Sequence, residues 1–188
     1  SCYSSSDLIN WKDEGPVIYL GRSYMIERPH VLYNATTGKY VLWGHRVIAS
    51  GKSTAVVAYN DTPYGAFTVA SSSYNPDGFY LNDMNLFKDT DGSGYLLYSD
   101  GPNTHFVISK LSDDYLTTSG TYVRPNVLIG REGPQMILRN GVYFLLTSGL
   151  TGWAPNENKY STSTSVMGNW STLVNPFQVS GEEDRMIA

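Results

Sequence analysis

The chain has a single cysteine, Cys2, so no disulfide can close within it. Charge is sparse: Asp, Glu, Lys and Arg make up 16% of the residues, below the roughly one quarter usual for globular domains. Lys and Arg number 13 against 17 Asp and Glu, a net charge of −4. Phosphate binding needs clustered cations, so a nucleic-acid partner is excluded. No apolar run approaches the ~20 residues that cross a bilayer, so no membrane span is expected. Ser1 to Asp7 lacks the charged and apolar regions of a signal peptide. No long stretch repeats at helical spacing. The histidines, His30, His45 and His105, show no metal-ligand spacing relative to one another. Asp89-Thr90-Asp91-Gly92 begins like a calcium loop, but no Glu follows where one is required, and it reads as a hairpin turn. No metal and no other cofactor is expected.

What the chain does have is 15 Tyr, 18 Gly and 9 Pro, with short apolar runs between them. That composition predicts an all-β domain of many short strands. The clearest unit is Glu132-Gly133-Pro134-Gln135-Met136-Ile137-Leu138, a turn at Arg139-Asn140-Gly141, then Val142-Tyr143-Phe144-Leu145-Leu146-Thr147. Asn-Gly between apolar runs marks a hairpin, because both residues tolerate positive φ. Glu132 stands at the entrance of its first strand. Glu27 to Tyr33 leads likewise through Asn34–Gly38 into Lys39-Tyr40-Val41-Leu42-Trp43. Asp83 to Phe87 leads through Asp89–Gly92 into Tyr95-Leu96-Leu97-Tyr98. An acid thus opens each of three hairpins, at positions 27, 83 and 132, and is followed at similar spacing by Tyr40, Tyr95 and Tyr143.

Each hairpin is followed by a loop, a strand, a polar turn and an aromatic. The aromatic stretches are Asp61–Thr68, Leu111–Leu116 and Thr164–Ser171, and Tyr3–Trp11 has the same form. Four short strands at a period near 50 residues are the signature of a propeller blade. First strands of successive blades line the central axis, so Glu27, Asp83 and Glu132 are expected to converge on one pocket. The chain reads as about three complete blades plus partial ones, a fragment open at both ends.

The stretches Glu27-Arg28-Pro29, Asn82-Asp83-Met84, Ser112-Asp113-Asp114-Tyr115-Leu116 and Thr147-Ser148-Gly149-Leu150-Thr151-Gly152-Trp153-Ala154-Pro155-Asn156 resemble glycoside hydrolase family 43. The opening Tyr3-Ser4-Ser5-Ser6-Asp7-Leu8-Ile9-Asn10-Trp11 is similar to its exo-β-1,3-galactanase branch, and the likeness runs from Tyr3 to about Pro176. The resemblance implies a five-bladed β-propeller over residues 1–188, hydrolysing glycosidic bonds with inversion. It implies a galactan or arabinogalactan oligosaccharide as partner and galactose as product, and it is compatible with a carbohydrate-binding module outside this chain. By the same resemblance Glu132 is the general acid, Asp83 the acid that tunes and orients it, and Glu27 a carboxylate that binds the terminal sugar. Asn103, Thr151 and His45 fall at positions similar to sugar-contacting or pocket-lining residues. Trp153 reads either as a sugar-stacking platform or as a structural Trp beneath its loop. The physics agrees: a departing sugar oxygen needs a protonated carboxylic acid, and a second carboxylate nearby raises the first one's pKa.

Trp43-Gly44-His45 departs from the pattern, being followed by Arg46 to Ser53 without an aromatic. An arabinofuranosidase or xylosidase using the same acids, and a non-catalytic glycan-binding propeller, stay open as alternatives. The resemblance also implies that the water-activating group lies outside or near the end of these residues, so that the 188 residues alone are expected to be impaired. Asn34-Ala35-Thr36, Asn60-Asp61-Thr62 and Asn169-Trp170-Ser171 are glycosylation sequons in predicted turns, which suggests a secreted, extracellular glycoprotein.

Overall fold

The computed structural model describes residues 1–21, 25–48, 52–101, 105–152 and 154–176. Among them are thirteen strands, two single-turn 3₁₀ segments and no α-helix. The first two strands, β1 (Cys2–Ser4) and β2 (Lys12–Gly15), form a separate antiparallel pair. The next four, β3 (Met25–Asn34), β4 (Lys39–Val47), β5 (Thr54–Asn60) and β6 (Thr68–Tyr74), form a sheet in chain order. A second four-stranded meander follows: β7 (Leu81–Lys88), β8 (Gly94–Asp100), β9 (Phe106–Leu111) and β10 (Thr118–Val123). The third sheet holds β11 (Glu132–Arg139), β12 (Val142–Ser148) and β13 (Lys159–Ser163). Where the sequence predicts a fourth strand there is a single antiparallel bridge, Tyr160 to Val174. The third unit is therefore three strands and a bridge. The reason is local: Ser161, Thr162 and Ser171 bond one another through hydroxyls, replacing part of a backbone ladder.

The predicted turns form as their chemistry requires. Asn140 and Gly141 both have positive φ, 51° and 75°, as a two-residue hairpin loop between paired Arg139 and Val142 demands. Asp89–Gly92 closes the second hairpin, with Gly92 N–H donating to Asp89 O at 3.1 Å and Asp89 N–H to Ser93 O at 2.9 Å.

The sheets stack side by side, and the second is buried on both faces. Every residue of β8 is buried. Its alternate side chains point opposite ways, so Leu96 and Tyr98 join Val41, Trp43, Ala55 and Val57 of the first sheet. Tyr95 and Leu97 join Met136, Leu145, Val166 and Trp170 on the third-sheet side. The outer face of the first sheet is covered by Val17 and Ile18, which pack on Leu42, Ala58 and Phe67. Phe67, Tyr115 and Trp170 of the aromatic stretches are buried, whereas Trp11 is exposed.

Side chains also staple the sheets together. The Trp43 indole N–H donates to Tyr115 O at 2.8 Å, and the Asn34 amide donates to Asp113 O at 2.7 Å. Asn34 Oδ1 in turn accepts from the N–H groups of Thr36 and Thr37. Asn34 is only 1% exposed. This corrects one sequence expectation: the first sequon lies in a turn, but its asparagine is a buried cap, closed to a glycan. Asn169, by contrast, is exposed. Replacing Asn34 by Ala leaves Asp113 O and two N–H groups without their partner. We expect a loss of about 2 kcal/mol, or roughly 4–8 °C in Tm, read by thermal melting. Mass spectrometry of protein from a glycosylating host is expected to find Asn34 bare.

Candidate active site

Each inner strand carries a β-bulge near its entrance. In β3, Glu27 pairs with His45 and His30 with Trp43, leaving Arg28 and Pro29 opposite Gly44. In β7, Leu81 pairs with Asp100 and Met84 with Tyr98, leaving Asn82 and Asp83 opposite Ser99. In β11, Glu132 pairs with Ser148 and Gln135 with Leu146, leaving Gly133 and Pro134 opposite Thr147. A bulge bends its strand and re-aims the side chains beside it. The register corrects the expectation that all three acids hold one place. Glu27 and Glu132 precede their bulges, whereas Asp83 lies two residues further along, inside its own. Spacing to the following Tyr concealed this, because the intervening turns (35–38, 89–93 and 140–141) differ in length.

The offset places Asp83 between its neighbours. Its Oδ1 is 2.7 Å from Arg28 Nε of the first sheet. Its Oδ2 accepts the Gly133 N–H of the third sheet at 3.1 Å. Gly133 sits at φ +60°, and a Cβ there would lie 2.7 Å from Ser148 Oγ. Only glycine gives the amide this approach without strain. Behind this layer is a second one: His30 Nδ1 pairs with Asn85 Oδ1, and Asn85 Nδ2 donates to Pro134 O at 2.9 Å and to Gln135 Oε1 at 2.6 Å. Both layers join β3, β7 and β11 in turn.

Burial is the first reason that the Glu132 carboxyl is raised above the usual glutamate range, and the Asp83 charge is the second. Arg28 and Arg131 pull it the other way. Arg131 is itself buried and its hydrogen bonds are taken up: Nε donates to the Thr147 hydroxyl Oγ1 at 3.0 Å, and Nη2 to the backbone Thr147 O at 2.7 Å and Glu157 O at 3.0 Å. It anchors the ground beneath Glu132. His45 is 6% exposed, with Nδ1 3.8 Å from Glu27 Oε2. Burial lowers its pKa from the ordinary 6.5 and outweighs the pull of Glu27 and Asp83. The ring is therefore neutral at pH 7, and its approach to Glu27 is a polar contact rather than an ion pair.

His45 thus feels the charges of Glu27 and Asp83, and Glu132 feels that of Asp83. The Thr151 hydroxyl donates to Ala154 O at 2.6 Å and accepts from Asn156 Nδ2 at 2.7 Å, which shapes the loop after β12. Asn103 and Trp153 lie outside the described residues. Sequence reasoning gave no role to Arg28 or Gly133. The signal was the repeated Glu-x-Pro of Glu27-Arg28-Pro29 and Glu132-Gly133-Pro134, whose middle residues both take positive φ, 48° and 60°. Among the described residues no cluster of His, Cys, Asp or Glu could hold a metal ion.

The chain matches the family model for glycosyl hydrolases family 43 over residues 1–186. It belongs to that family. A β-1,3-galactosidase of the family, solved with galactodeoxynojirimycin, is 31% identical, with a TM-score of 0.86 over 97% of this chain and 69% of its own. The exo-β-1,3-galactanase of Clostridium thermocellum is 38% identical, with a TM-score of 0.83 over 93% of this chain and 41% of its own. A curated relative, a β-D-galactofuranosidase of Aspergillus niger, is 30% identical over 115 residues, 60% of this chain. The chain spans 29% of that relative's length. The successive sheets of this family 43 chain agree with the folds of these neighbours.

A family 43 carboxyl raised in this way carries a stability cost of known sign. Unfolded, Glu132 ionises in the ordinary range; folded, it resists ionisation. Its cost is absent below the unfolded pKa and grows as pH rises through the folded one. Glu132→Gln is therefore expected to raise Tm by about 1–4 °C at pH 7. The gain should vanish on acidification below the ordinary glutamate range, as thermal melts across pH will report.

Proposed function

We propose that this chain forms the acid-bearing part of an inverting, exo-acting glycoside hydrolase that releases galactose from β-1,3-galactan. The observation that carries the reading is Glu132, half-buried and raised by its surroundings, beside an Asp83 whose two oxygens are already engaged. Glu132 is the proton donor to the departing glycosidic oxygen. A general acid must hold its proton near the working pH, and burial plus a neighbouring carboxylate supply that. Asp83 is suited to tuning rather than to activating water, because Arg28 and Gly133 occupy its oxygens. Glu27, with neutral His45 beside it, is the acceptor for hydroxyls of the terminal sugar. The galactan assignment draws support from the β-1,3-galactosidase and exo-β-1,3-galactanase likeness. The galactofuranosidase likeness favours a second reading, an exo-acting furanosidase using the same acids. Secretion fits the exposed Asn169 sequon. The five-bladed closure belongs to the same reading and draws support from three sheets stacked in order around inner strands β3, β7 and β11.

The test is product analysis with the full protein on β-1,3-galactobiose and on aryl galactofuranoside, arabinofuranoside and xyloside. Galactose released from the disaccharide, first as the α-anomer by NMR, is expected. Release only of arabinose, xylose or furanose sugar overturns the galactan assignment, and binding without any cleavage indicates a glycan-binding propeller. Glu132→Gln should lower the rate on galactobiose by about 10²- to 10⁴-fold. The loss should be smaller on an aryl galactoside, whose leaving group needs little protonation. Equal losses on both would remove Glu132 from the acid's role.

A further inference from the structure

Arg28 is an unusual residue for its position. It is a non-glycine residue at φ +48°, a left-handed backbone region that L side chains rarely adopt. Pro29 follows it and disfavours the right-handed helical region for the residue before. The bulge that contains both lies opposite Gly44. A Cβ on Gly44 would stand 2.6 Å from Ile26 Cγ2 and 3.9 Å from Pro29 Cα. The fold therefore maintains a strained backbone at one point of β3, opposite a glycine whose missing side chain leaves room for Ile26. The outcome is that a side chain of the first sheet reaches the second. Its Nε meets Asp83 Oδ1 at 2.7 Å.

We infer that Arg28 is a positioning residue: its guanidinium fixes the Asp83 carboxylate beside Glu132 and moderates the charge that Asp83 presents there. This rests on the reading of Glu132 as the acid. Gly133 N–H grips only the other oxygen. A carboxylate held at one oxygen turns about its Cβ–Cγ bond, whereas one held at both from opposite sides does not. Arg28 also limits the like-charge repulsion that Asp83 imposes. The groups facing Glu132 are Asp83 from β7, Arg28 from β3 and Arg131 from its own chain neighbour. Those facing Asp83 are Arg28, the Gly133 amide and the buried, neutral His45. Removing Arg28 takes away a cation that favours ionised Glu132 and leaves Asp83 uncompensated. Both consequences raise the Glu132 pKa.

The expected behaviour of Arg28→Met follows with its sign. Activity is lost as pH rises and Glu132 gives up its proton, so the alkaline limb of the kcat profile moves to higher pH. The maximal kcat falls by about 10- to 100-fold, as a misplaced catalytic neighbour produces. Arg28→Lys restores a charge without the Nε geometry, so its limb returns toward the wild type while kcat stays low. A residue that merely supported the fold would lower kcat and leave the limb in place. Should Arg28→Met fail to fold, Arg28→Lys carries the test, and wild-type kcat in that variant overturns the inference. Carboxyl NMR titration of Glu132 in the same variants needs no turnover. An unmoved Glu132 midpoint in Arg28→Met overturns the inference even if the galactan reading holds. A midpoint that moves in a protein without activity on galactan sustains the Arg28 assignment and rejects only that substrate.

Discussion

The site depends on one carboxylate gripped from two sides. Asp83 takes a guanidinium from the first sheet and a backbone amide from the third, at 2.7 and 3.1 Å. The same two contacts that join three sheets also fix the charge beside Glu132. Charge and packing are inseparable here. Bringing carboxylates together in a half-buried place costs stability unless cations and N–H donors offset it. Arg28, Arg131 and the Gly133 amide provide that offset without neutralising the effect on Glu132, whose carboxyl remains raised. The His30–Asn85–Pro134 layer behind repeats the three-sheet pattern through hydrogen bonds, and it holds the inner strands at the spacing the clasp requires.

The bulges explain how an ordinary meander produces such a place. A regular strand alternates its side chains strictly, so adjacent residues cannot serve one site. An extra residue in each of β3, β7 and β11 breaks the alternation where the acids stand. Glycines then make room: Gly44 opposite the first bulge, and Gly133 within the third. The strain recorded at Arg28 stands at the same point, in keeping with its use to aim a side chain rather than to stabilise a turn.

Much of this was legible in the residues. Asn140-Gly141 marked its hairpin, the apolar runs marked β4, β8 and β12, and the recurring acids marked the entrances of the inner strands. What the sequence could not convey was register. Turn length and bulge position change the count between an acid and its following Tyr without changing the pattern, so the offset of Asp83 was invisible. Long-range partners were equally hidden: that Asn34 would be spent on Asp113 O, or Thr151 on Asn156, depends on contacts made only after the sheets stack. The third unit looked like the first two in composition, yet its Ser and Thr hydroxyls take over where a fourth strand would pair. Arg28 stood in a motif already noticed, but its meaning lies in a φ angle and in a neighbour 55 residues away, at position 83.

The central claim is that the Asp83 charge adds to burial in raising the proton affinity of Glu132. Carboxyl NMR titration of Glu132 in the wild-type protein and in Asp83→Asn measures this directly. Asparagine keeps the shape and removes the charge, so the account predicts that the Glu132 midpoint falls toward the ordinary glutamate range. A midpoint that stays or rises when the Asp83 charge is gone would contradict it.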